Sequence, residues 1–279
     1  MKKVIAASLV LVMLFSALAL VSCGNKESED LTNIDGYVAP SYKKDIGTGI
    51  ITFADGAGET AIITNYEPKV YTPHEVVIPA KVGAGDDRTV TAIGDEAFKA
   101  CAAMKSVNIP ETVTSIGKAA FYGCDSLAQI NLPASVKTIG ELAFAACKSV
   151  TKVVAADGSA LLEIGKNAFD GCVALEEFNL PAKLTTIGEG AFRNCEKLAK
   201  VEIPASVKEI GNQAYVGCSA LNYEGGVVLT DKIEDLGGFD PDAKNPAVVV
   251  IFEVNKEFIV APENSYAAKF VAAMRDVED

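Results

Sequence analysis

Residues 93–117 decide the fold. They read Ile93-Gly94-Asp95-Glu96-Ala97-Phe98-Lys99-Ala100-Cys101-Ala102-Ala103-Met104-Lys105-Ser106-Val107-Asn108-Ile109-Pro110-Glu111-Thr112-Val113-Thr114-Ser115, and Ile116-Gly117 then opens the same pattern again. Ile-Gly pairs recur at 116, 139, 164, 187 and 210, at intervals of 23 residues with one of 25. An aromatic follows each Ile by five positions, at Phe98, Phe121, Phe144, Phe169, Phe192 and Tyr215. A cysteine follows each aromatic by three, at Cys101, Cys124, Cys147, Cys172, Cys195 and Cys218. Six registered copies of one pattern are an internal repeat, and a period in this range signals stacked supersecondary units.

Each unit contains its own local instructions. Val107-Asn108-Ile109-Pro110 and Ile130-Asn131-Leu132-Pro133 alternate apolar and polar residues, as a strand with one inward face does. The proline ends the ladder because it has no N–H to donate. A second extended piece, residues 113–116 in the first unit, runs to the Gly, which is expected to allow a sharp corner. The Ala-Phe-x-x-Cys stretch reads as one helical turn with Ala, Phe and Cys facing in. A lone unit of 23 residues buries too few side chains to offset its own ordering entropy. Stacking covers both faces of each Phe and pairs each strand with its neighbours, so the units form a solenoid stabilised between nearest neighbours.

The unit resembles the BspA-like leucine-rich repeat family, also described through treponemal leucine-rich surface antigens. The resemblance runs from about Val76 to Leu221. It extends to a capping strand at Thr60-Ala61-Ile62-Ile63-Thr64-Asn65-Tyr66, a first strand at Val76-Val77-Ile78-Pro79, and a closing segment at Ala261-Pro262-Glu263-Asn264-Ser265-Tyr266-Ala267. It implies an α/β repeat: a leucine-rich-repeat solenoid of short stacked β-strands with short helical turns and β-rich N- and C-terminal caps. Two departures are expected to be loop bulges. Ala155-Ala156 replaces the Ile-Pro pair and adds two residues around Gly158, and residues 83–88 lengthen the first unit.

The N-terminus carries a different signal. Lys2 and Lys3 precede an apolar run over residues 4–21, broken only by Ser8 and Ser16. Leu20-Val21-Ser22-Cys23 resembles a bacterial lipobox. That resemblance implies cleavage after Ser22 and a diacylglyceryl thioether on Cys23, usually with palmitate or another acyl chain on the new amine. The other reading is an uncleaved membrane anchor, and both place the rest of the chain outside the cytoplasm. The expected organisation is a signal peptide at 1–22, a lipidated Cys and polar tether at 23–49, and an N-terminal β cap with the first strand at 50–92. The repeats follow at 93–221. A C-terminal cap at 222–279 completes the chain, with a strand at 248–254, another at 258–260, and a helix at 264–275 capped by Asn264 or Ser265. The acidic Lys26-Glu27-Ser28-Glu29-Asp30 is either a solvated linker or a surface-sorting signal.

Composition narrows the chemistry. The chain has 279 residues, 25 Lys and Arg against 37 Asp and Glu, and a net charge of −12, which becomes −14 without the signal peptide. That balance excludes nucleic acid as a partner, since phosphate binding needs a basic face. There is one histidine, His74, and no tryptophan. His74 reads as a surface loop residue with no catalytic partner motif. The chain lacks G-x-S-x-G and any Cys/His arrangement with a base. Asp240-Pro241-Asp242-Ala243-Lys244-Asn245 lacks the later Gly and Glu of a calcium loop and reads as a turn rather than a metal site. No cofactor and no metal are expected. The six repeat cysteines read as buried packing thiols, although stacked neighbours lie near bonding distance and disulfides are the alternative in an exported protein.

The candidate binding face consists of the two outward positions of the pre-proline strand. Ser106, Gln129, Lys152, Glu177 and Lys200 form one row, and Asn108, Asn131, Val154, Asn179 and Glu202 the other. Stacking is expected to set these side chains side by side on a flat or concave sheet face, the kind of surface on which solenoids hold extended partners. The resemblance implies a cell-envelope lipoprotein, surface-exposed and held by its lipid. It would act as a non-catalytic, monomeric binding or adhesion module for a host matrix, host cell or other bacterial surface protein. A structural or assembly role toward another envelope component is the second reading, and a hydrolase the third. Fold alone does not fix which of these is right.

Overall fold

The structure, a computed structural model, describes residues 41–69, 74–222, 227–228, 235–236, 259–261, 263 and 265–276. The signal peptide, Cys23, the expected strand at 248–254 and the Asp240–Asn245 turn lie outside the described residues.

The chain enters through an antiparallel meander, Ser41–Asp45, Gly49–Asp55 and Thr60–Pro68. Thr60–Pro68 then pairs in parallel with Arg88–Ile93. From there one parallel ladder runs through Ser115–Ile116, Thr138–Ile139, Glu163–Ile164, Thr186–Ile187, Glu209–Ile210 and Asp235–Leu236. Ile93, Ile116, Ile139, Ile164, Ile187 and Ile210 stand in register and are buried. This eleven-stranded sheet is the backbone spine, and it passes through the short piece before each Gly.

The pre-proline strands do not form one continuous sheet, contrary to expectation. They fall into three ladders. His74–Val77 pairs with Met104–Asn108, Gln129–Leu132 with Lys152–Ala155 and Glu177–Phe178, and Val201–Glu202 with Val227–Val228, which in turn pairs with Ile259–Val260. The break after the fourth coil falls at Phe178, which stands where other coils carry Val107, Ile130, Val153 and Val201. Its ring sits edge-on to Phe169 and Phe192 at 5.7 and 6.1 Å.

Between the Gly and the Cys the chain is a run of turns and not a helical turn. Within the first coil Lys99 N–H donates to Glu96 O at 3.0 Å and Cys101 N–H to Phe98 O at 3.3 Å. The intervening amides of Glu96, Phe98 and Ala100 donate instead to Lys118, Ala120 and Tyr122 of the next coil, at 2.7–2.8 Å. A helix would spend every amide on itself. Every second amide goes outward, and the backbone enters the left-handed region at every fourth residue, with φ +57° at Glu96 and +58° at Ala100. The same two positions are left-handed in every later coil, down to Gln213 and Gly217.

The Ile-Gly glycines serve a purpose different from the expected corner. None has a positive φ. A methyl at Gly140 would lie 2.8 Å from Gly117 C, and one at Gly188 2.7 Å from Gly165 C. Glycine is required there because successive backbones approach too closely for any side chain. The approach is closed by amide bonds such as Gly165 N–H to Ile139 O at 2.8 Å.

Two boundary expectations are corrected. The stretch assigned to the tether is folded from Ser41 onward. An edge strand pairs on one side only, so Ser41-Tyr42-Lys43-Lys44-Asp45 can be polar and still be a strand. Tyr42 stacks on Phe53 at 5.5 Å with the Arg88 guanidinium 5.2 Å from its ring centre. The insertion at 83–88 is the tip of a hairpin, Lys81–Val82 against Arg88–Ile93, and not a bulge. Its tip holds Gly83, Gly85 and Asp86 at positive φ. The two residues added near Gly158 do form a loop, closed by Ser159 N–H to Ala156 O at 3.1 Å. At the other end Ser265 Oγ accepts from Ala268 N–H at 2.9 Å and caps the helix Tyr266–Asp276.

Candidate functional site

The interior is chemically quiet. Phe98, Phe121, Phe144, Phe169, Phe192 and Tyr215 stack face to face with centroids 5.1–5.4 Å apart and planes within 10°. Sequence reasoning missed the first ring of this column. Tyr66, in the capping strand, lies 5.2 Å from Phe98 and donates its hydroxyl to Thr48 O at 3.0 Å. A tyrosine suits that end because its rim can hydrogen-bond where the stack meets the cap. Beside the rings run the six cysteines, all buried and unbridged. Each from Cys124 to Cys218 points its thiol at the carbonyl of a Phe one coil back, at 3.1–3.3 Å. Burial pushes the Cys101 thiol up to about 11, and drives the Cys172 and Cys195 thiols well above their ordinary range. Such thiols are poor nucleophiles and poor metal ligands. Among the described residues no group of His, Cys, Asp and Glu is placed to hold a metal ion.

His74 is not on a loop. It opens the strand His74–Val77, half-buried, with Nε2 3.1 Å from the Tyr66 hydroxyl. It belongs to the join between cap and first coil.

The candidate binding face is the pre-proline strip. Its rungs are in register where the ladders form: Glu75 with Ser106, Val77 with Asn108, Gln129 with Lys152 and Glu177, and Asn131 with Val154. Glu75 and Val77 extend both rows by one coil. The alignment of Val76-Val77-Ile78-Pro79 with Val107-Asn108-Ile109-Pro110 contains that extension, masked by the longer first unit. Eight of the ten predicted strip residues line two depressions. Ser106, Asn108, Asn131 and Val154 border one of ≈ 360 Å³. Glu177, Asn179, Lys200 and Glu202 border another of ≈ 540 Å³. Gln129 and Lys152 stand two residues before Asn131 and Val154 on the same strands and line neither.

The two depressions differ in charge. Around the second every carboxylate has a cation: Glu177 with Lys152 at 2.9 Å, Glu176 with Lys197 at 3.7 Å, and Glu202 with Lys200. The Lys152 ammonium, with help from the Asn179 amide, holds the Glu177 carboxyl below its ordinary range. Around the first, Gln129 Nε2 donates to Asn131 Oδ1, and Glu111 Oε2 accepts from Ala134 N–H at 3.1 Å. Glu75, Ser106 and Asn108 bind no side chain or backbone group through their own side chains among the described residues.

Comparison with known proteins follows the repeat closely. A crystal structure of a leucine-rich repeat protein from T. pallidum aligns with a TM-score of 0.61 and 28% identity, over 79% of this chain and 100% of that one. A leucine-rich cell surface protein from Faecalibacterium prausnitzii aligns at 31% identity with a TM-score of 0.47, over 64% of this chain and 53% of that one. A leucine-rich repeat protein from Bacteroides ovatus aligns at 22% identity and 0.47, over 84% and 69%. No curated protein matches the chain in sequence. The family pattern described as BspA type leucine rich repeat region matches residues 91–222 in six copies, the same stretch that carries the Ile-Gly, ring and thiol columns. Over residues 91–222 this chain is similar to the BspA type leucine rich repeat region, on a fold similar to that of the T. pallidum leucine-rich repeat protein.

Proposed function

We propose that this chain is a bacterial envelope lipoprotein whose pre-proline strip binds a protein ligand without catalysis. One observation carries the reading: eight of ten outward strip positions border two adjoining depressions, and their side chains bond mainly within their own coil. Such a surface can change its contacts without loosening the stack. Lipidation at Cys23 after removal of residues 1–22 holds the domain, as a monomer, at the cell surface. The ligand there is a host matrix, host cell or other bacterial surface protein. The lipid anchor rests on the Leu20-Val21-Ser22-Cys23 motif, and the adhesive role on the family.

Three experiments test this. Labelled palmitate should enter the wild-type chain in growing cells and not a Cys23→Ala variant, and protease added to intact cells should remove the domain. Incorporation into the variant rejects the anchor, and full protection from protease moves the domain inside the envelope and favours the assembly role. Replacing Asn108, Asn131, Asn179 and Glu202 together by Ala should abolish capture of host matrix and cell-surface proteins while leaving the melting temperature nearly unchanged. Undiminished capture rejects the strip.

A further inference from the structure

We infer that the first depression of the strip takes a lysine or arginine side chain from an extended segment of the partner, and that the second takes an uncharged residue of the same segment. The inference rests on the strip being the binding face. Its floor includes Ile109, Leu132 and Pro133, apolar surface suited to a methylene stem. Among the described residues the charged groups lining it are Glu75 and Glu111, with no Lys or Arg. Glu75 has no hydrogen bond or ion pair among the described residues. A cationic head over these carboxylates gains charge-assisted hydrogen bonds that nothing within the described residues supplies. The second depression offers no such gain, because Glu176, Glu177 and Glu202 are each already paired.

The coil spacing fixes the register. The first depression spans the four coils from Glu75 to Val154 and the second the next two, holding Asn179 and Glu202, so their centres lie about three coils apart. Rings in successive coils are 5.1–5.4 Å apart. The separation of the centres is therefore about 16 Å, which an extended chain covers in about five residues at about 3.3 Å each. Each depression is at least two coils wide, so residues four apart, which share one face of a strand, still reach one depression each from the same side of the segment.

The test uses the full chain, extracted in neutral detergent, and labelled nine-residue peptides of alternating Thr and Val. The third position is Lys, norleucine or Glu, and fluorescence polarisation reads binding. Norleucine keeps the stem and removes the charge. The Lys peptide should bind about three- to tenfold more tightly than the norleucine peptide at low salt, with the preference shrinking as salt rises. The Glu peptide should bind more weakly than either. A Lys moved to the seventh position should add nothing. Glu75→Gln with Glu111→Gln should erase the Lys preference, and Asn131→Tyr, which fills the strip with a neutral ring, should remove all three peptides. If the Glu variant keeps the preference while Asn131→Tyr blocks binding, the strip stands and the cation pocket is rejected. If Asn131→Tyr changes nothing, the strip itself is rejected. Competition by butylamine at the peptide's own affinity would replace the extended segment with a free amine, and absence of binding by the Lys peptide up to millimolar concentration overturns the inference.

Discussion

An alanine at position 165 should separate two coils. Its methyl would lie 2.8 Å from Gly140 C and Ile139 O and 2.9 Å from Glu141 N, all backbone atoms that cannot rotate away. Relief requires the fourth coil to move by roughly half an ångström, and interiors packed this closely resist such shifts at a cost of about 1–3 kcal/mol. The shift also stretches the amide bond from Gly165 to Ile139 O, now 2.8 Å, whose weakening adds up to about 1 kcal/mol. We expect Gly165→Ala to lower the unfolding free energy by about 2–4 kcal/mol, read from urea titration followed by far-UV circular dichroism, with the slope unchanged. The matched control is Gly171→Asn. That position is left-handed at φ +74°, yet a Cβ there meets nothing nearer than 3.8 Å, and the equivalent Asn194 already sits at +58°. Asparagine tolerates this region, so the control should cost less than about 1 kcal/mol. If the two substitutions cost the same, or Gly165→Ala costs less than the control, close backbone approach is not what fixes the glycine column.

Phe144→Ala removes a ring stacked on both sides, at 5.1 Å from Phe121 and 5.4 Å from Phe169, and should cost about 3–5 kcal/mol in the same titration. The six repeat thiols should resist a disulfide reagent in the folded protein and react fully in denaturant, with Cys101, the least buried of them, first. The fold favours the neutral form of Cys101, raising its pKa from 9.0 to about 11. That contribution is fully present below pH 9 and is lost as pH climbs toward 11, so the melting temperature should be flat near neutrality and fall above pH 9. A melting temperature that rises across that window contradicts the buried-thiol assignment.

The period made the stack legible because each apolar position repeats with its role: Ile for the spine, Phe for the ring column, Cys for the thiol column. The turn segment was not legible for a specific reason. Its left-handed positions hold Glu96, Ala119, Leu142, Asn167, Gly190 and Gln213, residues with nothing in common as side chains. The conformation is imposed by amides that must reach the next coil, a constraint between units that no single unit displays. The glycine column is legible and its cause is not, since a residue chosen for φ and one chosen for lack of a side chain look identical in sequence. The strand Ser41–Asp45 was hidden by its polarity. Pairing on one edge leaves no apolar alternation to read, and its contacts to Phe53 and Arg88 span up to 46 positions.

The two long faces of the repeat divide their labour by where their side chains bond. Next to the spine, Thr114 and Thr185 donate to carbonyls of the preceding coil at 3.2 and 2.9 Å, and Ser135 and Ser206 do so at 2.6 Å. Those hydroxyls hold coil to coil, and a partner competing for them would weaken the stack. On the pre-proline strip Gln129 bonds Asn131, Asn179 bonds Glu177, and Lys200 bonds Glu202, each within one coil. Lys152 with Glu177 is the exception that bridges two. Exposed pairs of this kind contribute little to stability. Substitution on the strip is therefore nearly free for the fold, while substitution beside the spine is not. On the proposed reading, a repeat built this way can exchange one ligand for another through the strip alone, and the search for specificity belongs at Glu75, Asn108, Glu111 and Asn131 rather than among the threonines.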